Sequence, residues 1–442
     1  MRKGGKVYSC MGMPQQKMTD IFSQRDFKMP EGFLWGSSTA GHQIEGNNIH
    51  AGHWDMEIEK SKTDKDYVPS GMACNNYELY EQDVELIDRL GHQAFRMTIE
   101  WSRIEPSENN FDMEAVNHYI KELELLNEKG IKVLLTLVHF TVPKWFADKG
   151  EFTKEENIKY FENYLNFILP KVCKYVSYWN TFNETNHHHW PTDRKLCTLK
   201  FHAMAYHLIK KYSDAPVGIA HALKLYFPKR YYNAADKMMV EYYDYITNEY
   251  FFHAIRTGEI VFPFTEGELC PDLKGTSDFW SINWYTRDLI DAKLANPIAD
   301  KYNHNELRLI DKKIYFDEFF AEGMLDVLTR LNDKPVYITE NGCCADDDRF
   351  RIVYIAQVLS SIRDAIDAGV DVRGYYYWSL MDNYEWGSFI PRFGMVHCDF
   401  ETFKRTPKPS AYFYKEIIEN NGVSQELIRK YLKEIPSIRL GK

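Results

Sequence analysis

Short apolar runs alternate with longer amphipathic segments along almost the whole chain. The apolar runs are rich in β-branched and aromatic residues and are bounded by turn-forming residues, which predicts strands. Eight strands are predicted in this way, at residues 33–38, 94–101, 132–140, 176–183, 217–223, 278–285, 336–340 and 372–380.

Between these strands, apolar residues recur at the spacing of an α-helix. The helical pattern from Tyr77 to Leu90 stops at Gly91, and the pattern from Val116 to Leu126 stops before Gly130. Both glycines are expected just past a helix C-terminus, where a left-handed residue is favoured. Further helices are predicted at residues 156–170, 201–212, 236–257, 318–331, 350–368 and 411–419.

The near-continuous apolar strands indicate a parallel sheet that is buried on both faces. Eight strand–helix alternations without a break favour a closed (β/α)8 TIM barrel of the α/β class, as a single catalytic domain over residues 29–442. Residues 1–28 are predicted to be a disordered extension, and they lack the apolar core of a secretory signal. The alternative, a doubly wound open sheet, predicts a glycine-rich phosphate turn, and neither GxGxxG nor GxxxxGK[ST] occurs in the chain.

Composition narrows the function classes. The formal net charge is −10, which argues against a nucleic-acid surface and against a polybasic membrane anchor. The eight cysteines are scattered without a CxxC pair, as expected for reduced thiols in a cytoplasmic protein. No apolar run approaches the roughly 18 residues that a membrane span needs. Aromatic residues make up 15% of the chain, most of them expected in the core and some available for stacking on sugar rings.

Polar and aromatic residues gather where seven of the eight predicted strands end. In a barrel, the carboxyl ends of the strands carry the chemistry. The chain places there Gln43, Glu45, Arg96, Trp101, His139, Asn183, Glu184, Asn283, Tyr285, Glu340, Trp378, Glu385 and Trp386. Two facing glutamates, Glu184 and Glu340, are the minimum equipment for breaking a glycosidic bond.

From about Phe33 to about Tyr414 the chain resembles a family 1 glycoside hydrolase, the group of β-glucosidases, β-galactosidases and their relatives. The motifs that carry the resemblance are FLWGSSTAGHQIEG at 33–46, FRMTIEWSRIEP at 95–106, VHF at 138–140, TFNE at 181–184, NWYT at 283–286, ITENG at 338–342, YWSLMDNYEW at 377–386 and RFG at 392–394. The resemblance implies a retaining exo-β-glycosidase on a TIM barrel, acting without a cofactor or metal on a small glycoside or oligosaccharide.

The resemblance also implies individual roles. Glu184 would be the general acid/base and Glu340 the nucleophile, and three residues would support catalysis, namely Arg96, Asn283 and Tyr285. The residues that would bind the sugar are Gln43, His139, Asn183, Trp378, Glu385 and Trp386. Glu385 stands where phospho-sugar members of the family have a serine, so an unphosphorylated β-glucoside, β-galactoside or β-fucoside is expected. A glutamate at 184, where thioglucosidases have glutamine, disfavours a thioglucoside.

The chain departs from the family pattern directly after the acid. Thr185 replaces the usual proline, and the segment that follows is short. We expect a looser turn, or a threonine contact to the site, and a more open leaving-group side. The run His187-His188-His189 suggests a metal, but consecutive histidines rarely face one ion and exposed loop residues are expected instead.

Three other readings remain open on the sequence. One is a glycosyl-transferring member of the family, and another is a sugar-binding pseudoenzyme on the same barrel. A metal-dependent hydrolase would need a pair of histidines after the first strand, and only His42 is there. The sugar preference, the aglycone and the oligomeric state are not determined by the sequence.

Overall fold

A computed structural model describes residues 18–187, 190–261, 265–294, 319–434 and 436. Eight parallel strands close into a barrel in which each strand pairs with its neighbours in chain order, and β8 pairs with β1 to complete the ring. The strands are β1 (Leu34–Ser38), β2 (Ala94–Thr98), β3 (Lys132–Val138), β4 (Tyr178–Asn183), β5 (Val217–Ala222), β6 (Trp280–Asn283), β7 (Val336–Asn341) and β8 (Val372–Trp378). The prediction of a (β/α)8 barrel is therefore confirmed.

Helices surround the barrel and connect its strands. The longer ones are α1 (Gly52–Thr63), α2 (Asn76–Arg89), α3 (Met113–Glu128), α4 (Ile158–Val172), α5 (Thr192–Tyr212), α6 (Ala234–Asp244), α7 (Tyr250–Thr257), α8 (Gly323–Leu328), α9 (Asp348–Asp367), α10 (Pro409–Asn420) and α11 (Gln425–Tyr431). The helix predicted at 236–257 is interrupted by a π-helical turn at Tyr245–Glu249. The one predicted at 318–331 is shorter, and its first residue lies outside the described residues.

Local sequence explains several helix ends. The carboxylate of Asp112 accepts hydrogen bonds from the backbone N–H groups of Glu114 and Ala115, which caps the start of α3. Gly91 and Gly130 follow α2 and α3 with φ of 75° and 74°, as predicted for glycines at helix C-termini. The left-handed conformation at these two positions costs a glycine little, so both helices end where the sequence pattern stops.

The barrel interior changes character along its axis. Near the strand starts, Tyr178, Phe279, Tyr337 and Tyr376 form an apolar cluster that fills the barrel. Further along, the interior becomes polar, and Asn180 donates a 2.9 Å hydrogen bond to the hydroxyl of Ser281. This polar layer supports the strand ends above it, where the site lies.

The structure corrects the prediction for the amino-terminal residues. Residues 1–17 lie outside the described part of the chain, but Met18–Ser23 form a 3-10 helix and Phe27–Lys28 pair with Gly422–Val423. Ile21 is fully buried, which anchors this segment to the barrel through apolar contact that the polar local sequence does not reveal. No helix within the described ranges is long and apolar enough to cross a membrane.

Candidate active site

The two glutamates singled out in the sequence come from strands on different sides of the barrel mouth. Glu184 directly follows β4, and Glu340 lies in β7. Asn283, at the end of β6, is the strand partner of Glu340 where the ladder register shifts. That shift in register turns side chains from neighbouring strands toward a common point.

Glu340 is surrounded by donors. The Arg96 guanidinium donates a hydrogen bond to Oε1 through Nη1, and the Tyr285 hydroxyl donates to Oε2 over 2.8 Å. Burial, with the nearby charge of Glu340, raises the pKa of Tyr285 well above its ordinary value, so the hydroxyl keeps its proton and acts as a donor. Both donors stabilise the ionised carboxylate that a nucleophile requires.

Glu184 lies in a different environment. It is half-buried, and within the described residues its Oε1 accepts a hydrogen bond from Asn283 Nδ2 over 3.0 Å. Burial, reinforced by the charge of Glu340, raises the pKa of Glu184 from 4.5 to about 7. A carboxyl group of this kind can hold a proton near neutral pH and release it to a leaving group.

Asn183 connects the two halves of the site. Its Oδ1 accepts from Arg96 Nη2 at 2.6 Å and from Asn283 Nδ2 at 2.9 Å, while its Nδ2 lies 3.1 Å from His139 Nε2. Burial lowers the pKa of His139 well below its ordinary value, so the ring is neutral. One continuous network therefore links β2, β3, β4 and β6 beneath the cavity.

The cavity above this network has a volume of about 720 Å³. Ten of the eleven residues proposed for the site line it, namely Gln43, His139, Asn183, Glu184, Asn283, Tyr285, Glu340, Trp378, Glu385 and Trp386. The eleventh, Arg96, is fully buried and reaches the cavity only through Glu340 and Asn183.

Two polar atoms of this lining are poised for a ligand. Gln43 donates through Nε2 to Asn383 Oδ1 and to the Tyr384 carbonyl. Within the described residues, its Oε1 and the Nδ1 of His139 are buried without a hydrogen-bond partner. Buried polar atoms are rarely left unpaired, so these two are available to form hydrogen bonds with a ligand in the cavity.

Aromatic rings form one wall of the cavity. Trp378 stacks on His139 at 5.8 Å, and its Nε1 donates a long 3.4 Å hydrogen bond to Glu385. Trp386 stacks on His42, whose centroid is 6.0 Å away. Burial, together with the charges of Glu340 and Glu184, raises the pKa of Glu385 to about 8.

Not every polar strand end belongs to this site. Glu45 is buried against Arg103 at 2.6 Å and accepts from the Tyr119 hydroxyl, away from the cavity. Trp101 begins a short helix, and its Nε1 donates to Glu105. Position at a strand end correctly predicted which end of the barrel holds the cavity. The direction of each side chain decides whether a residue lines the cavity or packs elsewhere.

The structure also adds cavity residues that the sequence did not single out. They are His53, Met56, Lys60, Tyr67, Phe140, Trp190, Lys224 and Asp288, among others. Of the three consecutive histidines, His187 lines the cavity, and His188 and His189 lie outside the described residues. Phe140 carried a sequence signal as the neighbour of His139 in the VHF motif, and two further lining residues, Trp284 and Phe393, lie in the NWYT and RFG motifs.

Comparison with known proteins agrees with this geometry. The family model described as "Glycosyl hydrolase family 1" matches residues 25–423. A β-glycosidase structure from Pyrococcus horikoshii is 35% identical with a TM-score of 0.79, covering 92% of this chain and 98% of its own. β-Glucosidase A of Acetivibrio thermocellus is 29% identical over 89% of this chain and 98% of its length. A 6-phospho-β-galactosidase of Leptotrichia buccalis is 30% identical over 90% and 99%.

Proposed function

The chain belongs to glycosyl hydrolase family 1, and from that premise we propose how its own residues cleave a β-glycosidic bond. The protein is a β-glycosidase that acts with retention. We assign Glu340 as the nucleophile and Glu184 as the general acid/base. The observation that carries the assignment is the contrast between a carboxylate held by Arg96 and Tyr285 and a carboxyl group whose burial raises its pKa to about 7.

In the first step, a carboxylate oxygen of Glu340 attacks the anomeric carbon. The bond from that carbon to the leaving oxygen breaks, and Glu184 gives its proton to that oxygen. The products of this step are the free alcohol and a glycosyl ester on Glu340. Asn283 stays hydrogen-bonded to Glu184 and fixes the direction in which the proton is delivered.

In the second step, water hydrolyses the glycosyl ester on Glu340. Esterified Glu340 carries no charge, so one of the two causes that raise the pKa of Glu184 disappears. The pKa of Glu184 then falls, and its carboxylate takes a proton from a water molecule as that water attacks the anomeric carbon. The ester bond breaks, Glu340 regains its charge, and the sugar leaves with retained configuration.

The remaining lining residues bind the sugar. Gln43 Oε1 and His139 Nδ1, which have no partner within the described residues, form hydrogen bonds with sugar hydroxyl groups. Asn183, which accepts from Arg96, contacts the 2-hydroxyl of the sugar. Trp378 provides a ring for the apolar face of the sugar, and Trp386 closes the wall. Because His139 is neutral, it recognises hydroxyl groups by hydrogen bonding rather than by charge.

We propose an unphosphorylated glycoside as the substrate. Glu385 lines the cavity, and a carboxylate there opposes a phosphate on the sugar. Since the pKa of Glu385 is raised to about 8, this repulsion is strongest above that pH. Because one relative is a 6-phospho-β-galactosidase, 6-phosphorylated glycosides are the alternative substrates to be tested.

The decisive experiment pairs labelling with turnover. A 2-fluoro β-glycoside with an activated leaving group should esterify Glu340, and peptide mapping should find the added mass on the peptide that contains it. In a panel of nitrophenyl β-glucosides, β-galactosides, β-fucosides and their 6-phosphates, the unphosphorylated forms should be hydrolysed with the higher kcat/KM. Labelling of another residue contradicts the assignment of the nucleophile, and absence of turnover on every sugar favours a sugar-binding pseudoenzyme.

We further propose that the described chain from Met18 onward acts as one catalytic unit in the cytoplasm, because Phe27–Lys28 pair with Gly422–Val423. Within the described ranges, seven cysteines form no disulfide, which supports a reducing compartment. The proposed partner is the small glycoside or oligosaccharide alone.

A further inference from the structure

The turn that carries Glu184 is closed by a tryptophan side chain. Glu184 has a φ of 49°, in the left-handed region that is uncommon for residues other than glycine. Its backbone carbonyl accepts two hydrogen bonds of 3.1 Å, one from the His187 N–H and one from Nε1 of Trp190. The indole therefore fixes the backbone of the very residue that must deliver the proton.

Trp190 is itself held from two sides. The Arg194 guanidinium lies 3.5 Å from the centre of the indole ring, and the Phe140 ring packs at 5.7 Å. Arg194 is buried at the start of α5 and pairs with Glu151 at 3.1 Å. Since Phe140 lies in another part of the chain and Glu151 holds Arg194, these contacts fix the plane of the indole from outside the turn.

The same indole lines the cavity next to Glu184. Lys224 and Asp288 line this cavity as well, and the charge of Lys224 acts on Glu184. Phe140 links the Trp190 ring to Trp386, which lies 5.2 Å from Phe140 on the sugar-binding wall. An aromatic surface therefore runs from the sugar-binding wall to the acid, where the leaving group must lie.

We propose that Trp190 is both the positioning residue of Glu184 and the platform on which the ring of the leaving group stacks. The proposal rests on the assignment of Glu184 as the acid. It explains how the turn is fixed although Thr185 stands where the family pattern has proline. The restraint comes from the hydrogen bond of the Trp190 side chain and not from the pyrrolidine ring of a proline. It also names the preferred leaving groups, which have a flat ring face, either an aryl ring or a second sugar.

The first test separates the hydrogen bond from the ring. Trp190→Phe keeps an aromatic face and removes the N–H donor. We expect kcat/KM to fall roughly 10- to 100-fold on phenyl and methyl β-glycosides, which need a proton from the acid. A dinitrophenyl β-glycoside leaves without that proton, so its kcat/KM should change less than about threefold. Equal losses on both kinds of substrate, or no loss on either, overturn the positioning role.

Trp145→Phe is the matched control. Trp145 also donates its indole N–H to a backbone carbonyl, that of Glu105 at 2.9 Å, but it does not line the cavity. The control should leave the ratio between phenyl and dinitrophenyl substrates unchanged. Arg194→Lys is a second probe, because Arg194 packs on the Trp190 ring that donates to the acid, and it should cause a smaller loss with the same dependence on the leaving group.

The platform is tested with Trp190→Leu. Compared with Trp190→Phe, which also lacks the N–H donor, removal of the ring should lower kcat/KM for cellobiose and for phenyl β-glucoside more than for methyl β-glucoside, whose leaving group has no ring. A greater loss on cellobiose than on the phenyl substrate identifies a sugar as the natural leaving group, and the reverse identifies an aryl ring. Equal losses on all three overturn the platform.

A Glu184→Gln variant distinguishes a failure of the role of Trp190 from a failure of the assignment of Glu184 as the acid. If Glu184→Gln shows no dependence on the leaving group, the assignment of the acid has failed. If Glu184→Gln shows the dependence and Trp190→Phe does not, the acid stands and only the role of Trp190 has failed.

Discussion

The hydroxyl of Tyr285 donates a 2.8 Å hydrogen bond to Oε2 of Glu340. Together with Arg96 on the other oxygen, it gives this carboxylate two donors, one of them charged. Glu184, directly after β4, accepts instead from the neutral amide of Asn283. The chemical difference between two identical side chains thus arises from what each touches, and under the proposed function this difference assigns them separate roles.

Replacing Tyr285 by phenylalanine should lower kcat roughly 10- to 100-fold, since a hydrogen bond to a charged group contributes about 1.5–3 kcal/mol. The ring and the cavity shape are retained, so KM should change little. Steady-state kinetics on an aryl β-glycoside measures this effect. Tyr206→Phe is the control, because it deletes a 2.8 Å bond to the carboxylate of Asp278 far from the cavity, and it should leave kcat unchanged.

The activity should fall as the pH rises through about 7. Burial and the charge of Glu340 raise the pKa of Glu184 to about 7, and only the protonated acid can serve the leaving group. A profile of kcat/KM against pH on phenyl β-glucoside should therefore show a basic limb near that value. Glu184→Gln should remove this limb and reduce the rate on this substrate by roughly 100-fold or more. Persistence of the limb in that variant would assign it to another group.

Discrimination against 6-phosphorylated glycosides should depend on pH. Burial raises the pKa of Glu385 to about 8, so below that pH the group is largely neutral and repels a phosphate weakly. The ratio of kcat/KM for the unphosphorylated over the phosphorylated nitrophenyl sugar should rise as the pH increases past about 8. Glu385→Gln should make the ratio independent of pH, and a wild-type ratio that stays flat contradicts a role for this carboxylate.

Glu122 should make the fold less stable at alkaline pH. It is buried in α3, and burial with the charges of Glu45 and Asp83 raises its pKa from 4.5 to about 8. The folded protein binds this proton more tightly than the unfolded chain, so stability present below about pH 4.5 is lost as the pH rises to about 8.

Glu122→Gln should therefore increase the free energy of unfolding by roughly 1–3 kcal/mol at pH 8, with little gain at pH 4.5. Denaturant unfolding at the two pH values measures the difference. Glu128→Gln, on the exposed side of the same helix, should change the free energy of unfolding little at either pH. A gain at pH 4.5 as large as that at pH 8 contradicts the argument from proton binding.

Much of the fold was predictable because its signals are local. A buried strand needs a short run of apolar residues, and the predicted strands from 33–38 to 372–380 match the observed ones to within about three residues at either end. Gly91 and Gly130 marked the ends of α2 and α3 for an equally local reason. The amino-terminal boundary was wrong because the packing of Ile21 against the barrel depends on residues distant in the chain.

The sequence by itself determined the barrel and the family and put the two glutamates forward as candidates, because hydrophobic periodicity and short motifs are properties of neighbouring residues. Only the tertiary structure decided that Glu45 turns toward Arg103 while Gln43, two residues earlier, lines the cavity. It alone placed the Trp190 indole under the carbonyl of Glu184, closing the turn where Thr185 departs from the family pattern. The register between strands and the packing of loops fix such contacts, and neither follows from the order of residues along one segment.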